Sequence, residues 1–270
     1  MLPDLTQKEG KNEMKTVILC GGKGRRLEHE TEYRPKPLIE IGGRPILWHI
    51  MKIYSHQGFK DFILCLGYRG NMIKEYFLNL EEMVNDFSLD LRRNKISHHS
   101  DKGGLDGKVD FIDTGLDSMT GARIARIRKY LGEEENFFVT YGDAVADIDL
   151  EALYEYHKKS GKTGTITAVK PPYKFGLVEV EGGLVKKFDE KPDMKDLVNG
   201  GYMVFNKGLF DYLSEDKSCI FEQEPLKTLA KENQLAVYEH KGFWKCMDTQ
   251  KEADELNAIY ERGAPWEIWQ

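Results

Sequence analysis

Apolar residues along the chain recur with two different periods, and the two kinds of segment alternate. Six runs of β-branched and apolar residues have the length and continuity of strands buried in a parallel sheet, namely residues 15–20, 61–66, 136–141, 164–169, 200–206 and 235–239. Between these runs, apolar residues follow the helical spacing of three and four, in residues 45–58, 71–78, 149–159 and 250–261. The alternation predicts an α/β fold with a Rossmann-like, mixed but mostly parallel sheet that has helices on both faces.

Short elements are predicted around this framework. A helix with Ile124, Ile127 and Leu131 on one side should begin at Ser118 or Thr120, because either residue can act as its N-cap. Two further short helices are expected at residues 207–213 and 223–231, and small β-hairpin additions in residues 86–113 and 175–188.

Two pairs of side chains outside this framework leave alternatives open. His98 and His99 can be metal ligands, but no third ligand is spaced near them, which favours exposed histidines at a strand end. Trp266 and Trp269 can either cover the core or contact another subunit.

The composition narrows the class of protein. Of the 270 residues, 31% are charged and 40% hydrophobic, as in ordinary soluble domains, and no apolar run approaches the roughly 20 residues that cross a bilayer. The net charge of −6 argues against a nucleic-acid partner. We therefore expect a cytoplasmic protein without membrane or nucleic-acid partners. Residues 14–270 should form a single domain, with the polar residues 1–13 as a disordered extension or the product of an alternative start.

The segment VILCGGKGRRLEHETEYRPKP, residues 17–37, is the strongest indication of a binding site. An apolar strand ends there at a loop in which Gly21, Gly22 and Gly24 permit sharp turns and leave backbone N–H groups open to an anion. Prolines on both sides of Lys36 restrict the backbone that carries it. Together with the basic residues of the loop, this pattern favours a polyphosphate site over a simple tight turn.

Two common phosphate motifs do not match this segment. The dinucleotide fingerprint G-x-G-x-x-G fails because Leu27 stands in place of the third glycine, which disfavours an NAD enzyme. The P-loop pattern G-x-x-x-x-G-K-[ST] does not occur in the chain.

The strings GGKGRRL, RPKPLIEIGG, SMTGAR, YGDAVADIDL, FDEKP, NGGYMVFN, FEQEPL and GFWKCMDT together resemble the sugar-1-phosphate nucleotidyltransferases. Within that family the resemblance is to the branch that joins CTP to glucose 1-phosphate, and it covers nearly everything from Met14 to Trp269. It implies an enzyme that makes CDP-glucose and pyrophosphate for surface polysaccharide such as lipopolysaccharide, and a homo-oligomer that is often hexameric.

The resemblance also implies roles for individual residues. Asp143 and Asp248 would hold Mg²⁺. By position alone Asp143 can also be a turn residue, and the position of Asp248 before the last helix favours a helix cap. The catalytic set implied is Arg26, Lys36, Asp143, Lys191 and Asp248. The nucleotide-binding set is Gly21, Gly22, Gly24, Arg25, Arg26, Lys36, Met119, Thr120, Gly121 and Arg123. The sugar-phosphate-binding set is Tyr141, Glu190, Lys191, Asn199, Gly200 and Gly201.

Without the resemblance, several of these residues have plainer interpretations. Arg123 would be an exposed helix residue, and Glu190 and Lys191 a surface turn. Three positions also depart from the pattern of the family: Arg25 replaces a threonine, Ala144 a glycine and Lys174 an arginine. The competing functions are the same chemistry with UTP, dTTP or another sugar 1-phosphate, and a regulatory protein that binds a nucleotide sugar without turnover.

Overall fold

The computed structural model describes residues 14–24, 27, 31–100, 104–192 and 194–269. In those residues the chain forms fifteen strands, which we name β1 (Lys15–Leu19), β2 (Glu40–Ile41), β3 (Arg44–Pro45), β4 (Asp61–Leu66), β5 (Phe87–Asp90), β6 (Lys95–His98), β7 (Lys108–Asp113), β8 (Asn136–Tyr141), β9 (Ala144–Ala146), β10 (Gly164–Val169), β11 (Leu177–Glu181), β12 (Leu184–Asp189), β13 (Val198–Asn206), β14 (Leu235–Glu239) and β15 (Trp244–Cys246).

Seven α-helices connect these strands in the described residues: α1 (Ile46–His56), α2 (Gly70–Leu78), α3 (Leu80–Val84), α4 (Thr120–Arg126), α5 (Leu150–Ser160), α6 (Glu224–Lys231) and α7 (Gln250–Tyr260). Short 3₁₀ helices lie at Lys36–Leu38, Arg128–Tyr130 and Lys207–Tyr212. Among the helices described, none combines the length and apolar character that a membrane crossing requires.

A seven-stranded sheet forms the centre of the molecule, in the order β14-β10-β13-β8-β1-β4-β7. Strand β1 is parallel to both of its neighbours, and Val17 lies opposite Ile63 on one side and Val139 on the other. Strand β13 is antiparallel to β8 and β10, whereas β4–β7 and β10–β14 are parallel pairs. The prediction of a mixed, mostly parallel sheet is therefore confirmed.

Helices cover both faces of this sheet, as the sequence predicted. Because successive side chains of a strand point to opposite faces, Ile18 packs into one core together with α1, α5 and α7. Its neighbours Val17 and Leu19 pack into a second core with Ile124 of α4 and Leu229 of α6. Strand β1 is thus buried on both faces, which explains its nearly continuous apolar sequence.

The start of α4 differs from the prediction. Neither Ser118 nor Thr120 caps the helix with its side chain; instead, the backbone N–H groups of Gly121 and Ala122 donate to the carbonyl oxygen of Cys219, at 3.0 and 3.2 Å. The expected cap was wrong because a segment about a hundred residues away supplies the acceptor. The helix also ends at Arg126, and the 3₁₀ turn Arg128–Tyr130 replaces its predicted continuation.

Both predicted hairpins are present, as β5–β6 and β11–β12. His98 and His99 lie exposed at the end of β6; His99 Nε2 is 2.8 Å from Ser88 Oγ, and His98 Nε2 is 3.7 Å from Glu82 Oε1. In the described part of the chain neither histidine belongs to a cluster of metal-ligand type.

The carboxyl-terminal tail packs against the core. Trp266 is fully buried, and its indole N–H donates to Nδ1 of His49 at 3.2 Å, while the opposite ring nitrogen of His49 donates to the carbonyl oxygen of Ile41 at 2.8 Å. Burial lowers the pKa of His49 to about 4, so the ring is neutral near pH 7. Of the two alternatives left open for the tail, Trp266 covers the core.

Candidate active site

A small two-stranded ribbon brings two distant aspartates together. Strands β9 and β15 are antiparallel, with Cys246 opposite Ala144. Asp143 precedes β9 and Asp248 follows β15 by two residues, so that both lie at the same end of the ribbon. The backbone N–H of Met247 extends the pairing by donating to the carbonyl oxygen of Asp143 at 2.8 Å. The register of the ribbon, which the sequence analysis did not predict, thus sets the two carboxylates side by side.

Lys36 reaches both of these carboxylates. Its Nζ lies 2.6 Å from Oδ2 of Asp143 and 2.8 Å from Oδ1 of Asp248. Pro35 is extended and the 3₁₀ turn Lys36–Leu38 begins directly after it. Burial opposes the charge of the ammonium group, but the two carboxylates outweigh burial and raise the pKa of Lys36 above its usual value. The lysine is therefore held as a cation between two anions.

The donor set at this point suits a hard divalent cation. Oxygen atoms of Asp143 and Asp248 converge on one positive group, and carboxylate oxygens are the protein ligands that Mg²⁺ prefers. A second cluster, Cys246, Asp248 and Glu252, also has its ligand atoms within 4.8 Å of one another. Burial, together with nearby carboxylates, raises the pKa of Cys246 to about 11, so its thiol keeps its proton and is a poor ligand.

Glu252 anchors the backbone that carries Asp248. Its Oε2 accepts the N–H groups of Asp248 and Thr249, at 2.7 and 2.9 Å, and Thr249 closes a capping box at the start of α7. Thr249 is therefore the helix cap, and the side chain of Asp248 is left for the site. The other oxygen of Glu252 lies 2.8 Å from Nζ of Lys174, one of the positions that depart from the pattern of the family.

The three glycines of the loop after β1 lie in different environments, and a side chain would have a different effect at each position. Gly21 is buried against Arg123, and a Cβ there would lie 2.1 Å from a guanidinium nitrogen. Gly22 is exposed, and a Cβ there would meet nothing within 4 Å. Gly24 has a φ of +60° and lies against Thr31 and Lys36. Arg25 and Arg26, which the sequence analysis placed in the nucleotide site, lie outside the described residues.

Arg123 is buried rather than exposed, contrary to the interpretation of that residue without the family. Its side chain donates to the carbonyl oxygens of Gly21, Leu66 and Gly115 and to the hydroxyl of Thr114, all at 2.8 to 2.9 Å. The guanidinium therefore stabilises the glycine-rich loop from its buried side, through the carbonyl oxygen of Gly21. The sequence alone did not reveal that Arg123 is buried, because the guanidinium occupies space left free by glycines that are distant from it in the chain.

Glu222 is the residue of the site that sequence reasoning missed. Its two oxygens accept hydrogen bonds from the hydroxyl groups of Tyr141 and Thr120, each at 2.6 Å. The other glutamate of FEQEPL, Glu224, is exposed at the start of α6. The only available signal was the FEQEPL string itself, which does not show which glutamate faces inward.

The residues expected at the sugar phosphate fall into two groups. Tyr141 lies against Gly201, whose φ is +82°, and Asn199 accepts the N–H of Gly201 at 2.9 Å. Gly200 belongs to the same group, because its carbonyl oxygen accepts the indole N–H of Trp244 at 2.7 Å, beside the aspartate ribbon.

Glu190 and Lys191 form the second group, which directly follows β12. Both residues are exposed after β12, and their side chains form an ion pair with each other at 3.9 Å. The hairpin β11–β12 that carries them pairs only with itself among the strands described. Met119 is exposed directly before α4.

Comparisons with known proteins identify the family to which the chain is similar. A model of the nucleotidyl transferase family matches residues 15–251. The chain is 46% identical to a glucose-1-phosphate cytidylyltransferase from Salmonella typhi over 259 residues, which covers 95% of this chain and 100% of that protein. It is 45% identical to a probable glucose-1-phosphate cytidylyltransferase from Bacillus subtilis over 257 residues, with the same coverage.

Solved structures show the same fold. The crystal structure of HddC from Yersinia pseudotuberculosis, complexed with GMP-PN, superposes with a TM-score of 0.68 at 21% identity and covers 92% of this chain and 99% of its own. A UDP-glucose pyrophosphorylase complexed with UDP-glucose superposes with a TM-score of 0.66 at 17% identity, over 92% of this chain and 98% of its own.

Proposed function

The chain belongs to the nucleotidyl transferase family, and from that premise we propose that it transfers a cytidylyl group from CTP to glucose 1-phosphate, with CDP-glucose and pyrophosphate as products. The observation that carries the reaction class is the meeting of Lys36, Asp143 and Asp248 at the carboxyl ends of β1 and β8. The choice of CTP and glucose 1-phosphate rests on the relatives that are 45 and 46% identical over their full length.

The reaction needs no general base from the protein. The nucleophile is a phosphate oxygen of glucose 1-phosphate, and a phosphate monoester with a second pKa near ~6 is largely dianionic at pH 7. The bond that forms joins this oxygen to the α-phosphorus of CTP, and the bond that breaks releases pyrophosphate. The work left for the protein is to align two anions that repel each other and to offset their charge.

The described residues divide this work between them. Lys36 supplies a fixed positive charge where the loop after β1 meets the ribbon β9–β15, and we place it at the triphosphate. Gly22 leaves the loop backbone open for close approach by the nucleotide. Tyr141 and Asn199 would face the sugar. Lys191 would hold the sugar phosphate, which would replace Glu190 as its ionic partner.

Mg²⁺ is the metal that we assign to this site. Asp143 and Asp248 would hold it, because their oxygens already converge on one cation. Bound there, the metal would neutralise phosphate charge during the transfer. We further propose that residues 14–270 act as one catalytic unit in the cytoplasm, as a homo-oligomer, in the synthesis of CDP-sugars for surface polysaccharide.

Pyrophosphate release is the direct test. Purified protein with Mg²⁺ is assayed with each of CTP, UTP, dTTP and GTP against a panel of sugar 1-phosphates that includes glucose, galactose and mannose 1-phosphate. We expect CTP with glucose 1-phosphate to give the highest kcat/KM by at least tenfold. Chelation of the metal should stop turnover, and added Mg²⁺ should restore it.

Two results would contradict the proposal in different ways. Turnover chiefly with UTP or dTTP would overturn the choice of base while keeping the reaction class. Tight nucleotide binding without pyrophosphate release from any pair would identify a regulatory binder. The convergence of the two carboxylates on Lys36 argues against such a binder, since a receptor without metal chemistry has no use for that pair.

A further inference from the structure

Glu222 connects the two halves of the site. It follows a segment that runs along the start of α4, where the N–H of Met119 donates to the carbonyl oxygen of Lys217 at 2.8 Å. One of its oxygens accepts the hydroxyl of Thr120, in the segment expected at the nucleotide, and the other accepts the hydroxyl of Tyr141, at the end expected at the sugar. Both contacts are 2.6 Å, typical of charge-assisted hydrogen bonds from hydroxyl groups.

The hydrogen-bonding capacity of each hydroxyl group decides what it can offer a ligand. Thr120 donates its proton to Glu222, and its oxygen accepts the N–H of Phe221 at 2.9 Å, so it has no proton left for a substrate. Tyr141 also gives its only proton to Glu222. Its oxygen can then act towards a ligand only as an acceptor.

The ring of Tyr141 is restrained as well, because Gly201 lies so close that a Cβ there would be 2.6 Å from a ring carbon.

We propose that Glu222 is a positioning residue that makes Tyr141 an obligate hydrogen-bond acceptor for a hydroxyl group of the sugar. The proposal rests on the proposed function, since it takes the ligand beside Tyr141 to be the sugar of a sugar phosphate. Glu222 acts through Tyr141 and need not touch the substrate itself. A carboxylate close to two anionic substrates is unfavourable because like charges repel. The hydrogen bonds that its two oxygens accept from the hydroxyl groups of Thr120 and Tyr141 explain why Glu222 is present there.

The test compares the affinities of CDP-glucose and CDP by calorimetry, because the ratio of the two isolates the contribution of the glucose. Glu222→Gln keeps the shape of the side chain but cannot accept from both hydroxyl groups, and Glu222→Ala removes the acceptor altogether. We expect each variant to weaken CDP-glucose at least tenfold while CDP changes less than threefold. Glu224→Gln, two residues away and exposed, is the matched control and should change neither ligand.

A mutant cycle separates positioning from a structural role. Tyr141→Phe should weaken CDP-glucose binding by a similar factor. The double variant, Tyr141→Phe with Glu222→Gln, should bind CDP-glucose no more weakly than whichever single variant binds it less tightly. Losses that multiply, equal losses for CDP and CDP-glucose, or tighter binding once the charge is removed would each overturn the proposal. A wild-type protein that binds CDP-glucose but releases no pyrophosphate would contradict the proposed function alone, and the affinity ratio would still test Glu222.

Discussion

The guanidinium of Arg123 donates a hydrogen bond of 2.9 Å to the carbonyl oxygen of Gly21, and the two residues pack so closely that the glycine has no room for a side chain. The arginine is 3% exposed. A buried cation whose donors point at backbone carbonyl oxygens fixes the shape of a loop without contributing to its surface. A buried residue of α4 therefore stabilises the conformation of the loop after β1.

Gly21 and Gly22 should consequently respond differently to the same substitution. Gly21→Ala places a Cβ 2.1 Å from the guanidinium, and we expect it to lower the free energy of unfolding by about 1–3 kcal/mol through overpacking. Gly22→Ala meets open space and should leave stability within about 0.5 kcal/mol, while it weakens CTP binding if the nucleotide lies on that backbone. Urea denaturation and nucleotide titration measure the two effects, and equal stability of the two variants would contradict this account.

Lys36 should compete with divalent cations for the two aspartates when no nucleotide is present. Lys36→Met removes the ammonium group and leaves two facing carboxylates. We expect it to bind Mn²⁺ more tightly than the wild type in the nucleotide-free protein, although turnover falls by more than a hundredfold. Titration followed by electron paramagnetic resonance measures free Mn²⁺, and weaker binding by Lys36→Met would argue that the lysine helps to hold the metal.

Asp248→Asn should have the opposite effect on the metal. The substitution removes one negative oxygen from the pair, so that Mn²⁺ binding weakens and pyrophosphate release almost stops, while the circular dichroism spectrum is retained. Activity within about tenfold of the wild type would remove Asp248 from the metal site.

The capping box at α7 should couple stability to catalysis. Glu252→Ala removes the acceptor of the N–H groups of Asp248 and Thr249, and we expect a loss of about 1 kcal/mol in unfolding free energy together with a lower kcat. Lys174→Met removes only the ion pair with Glu252 and should cost less in both measurements. A Glu252→Ala variant with full kcat would show that Asp248 does not depend on this anchor.

Two buried histidines should make stability depend on pH. Burial lowers the pKa values of His49 and His157 to about 4, below the ~6.5 of an unfolded chain. The unfolded state therefore binds more protons between these values, so that stability is complete above about pH 6.5 and falls as the pH drops towards 4, by about 3 kcal/mol for each histidine.

Denaturation series at pH 7, 6 and 5 check this expectation. His157→Gln should reduce the pH dependence, whereas the exposed His99→Gln should leave it as in the wild type. A free energy of unfolding that is constant from pH 7 to pH 5 would show that neither ring is buried in its neutral form.

Much of the fold follows from local pattern. The strands Asp61–Leu66, Asn136–Tyr141, Gly164–Val169 and Leu235–Glu239 lie where the apolar runs predicted them. The first three are largely buried and therefore mostly apolar, whereas the last is an edge strand with no fully buried residue. The ribbon β9–β15 was missed, since two strands of three residues each have too little pattern to be recognised. The segment of residues 17–37 was informative because glycine permits sharp turns, proline restricts the backbone and cationic side chains attract anions.

The sequence by itself determined the framework of strands and helices and the glycine-rich, basic character of one loop, because both depend on properties of neighbouring residues. Only the tertiary structure decided which groups meet. Lys36 is 107 residues from Asp143 and 212 from Asp248, and Tyr141 is 81 residues from Glu222. Contacts across such separations depend on the register of paired strands and on the space left by distant glycines. Neither property can be recognised from any one segment of the sequence.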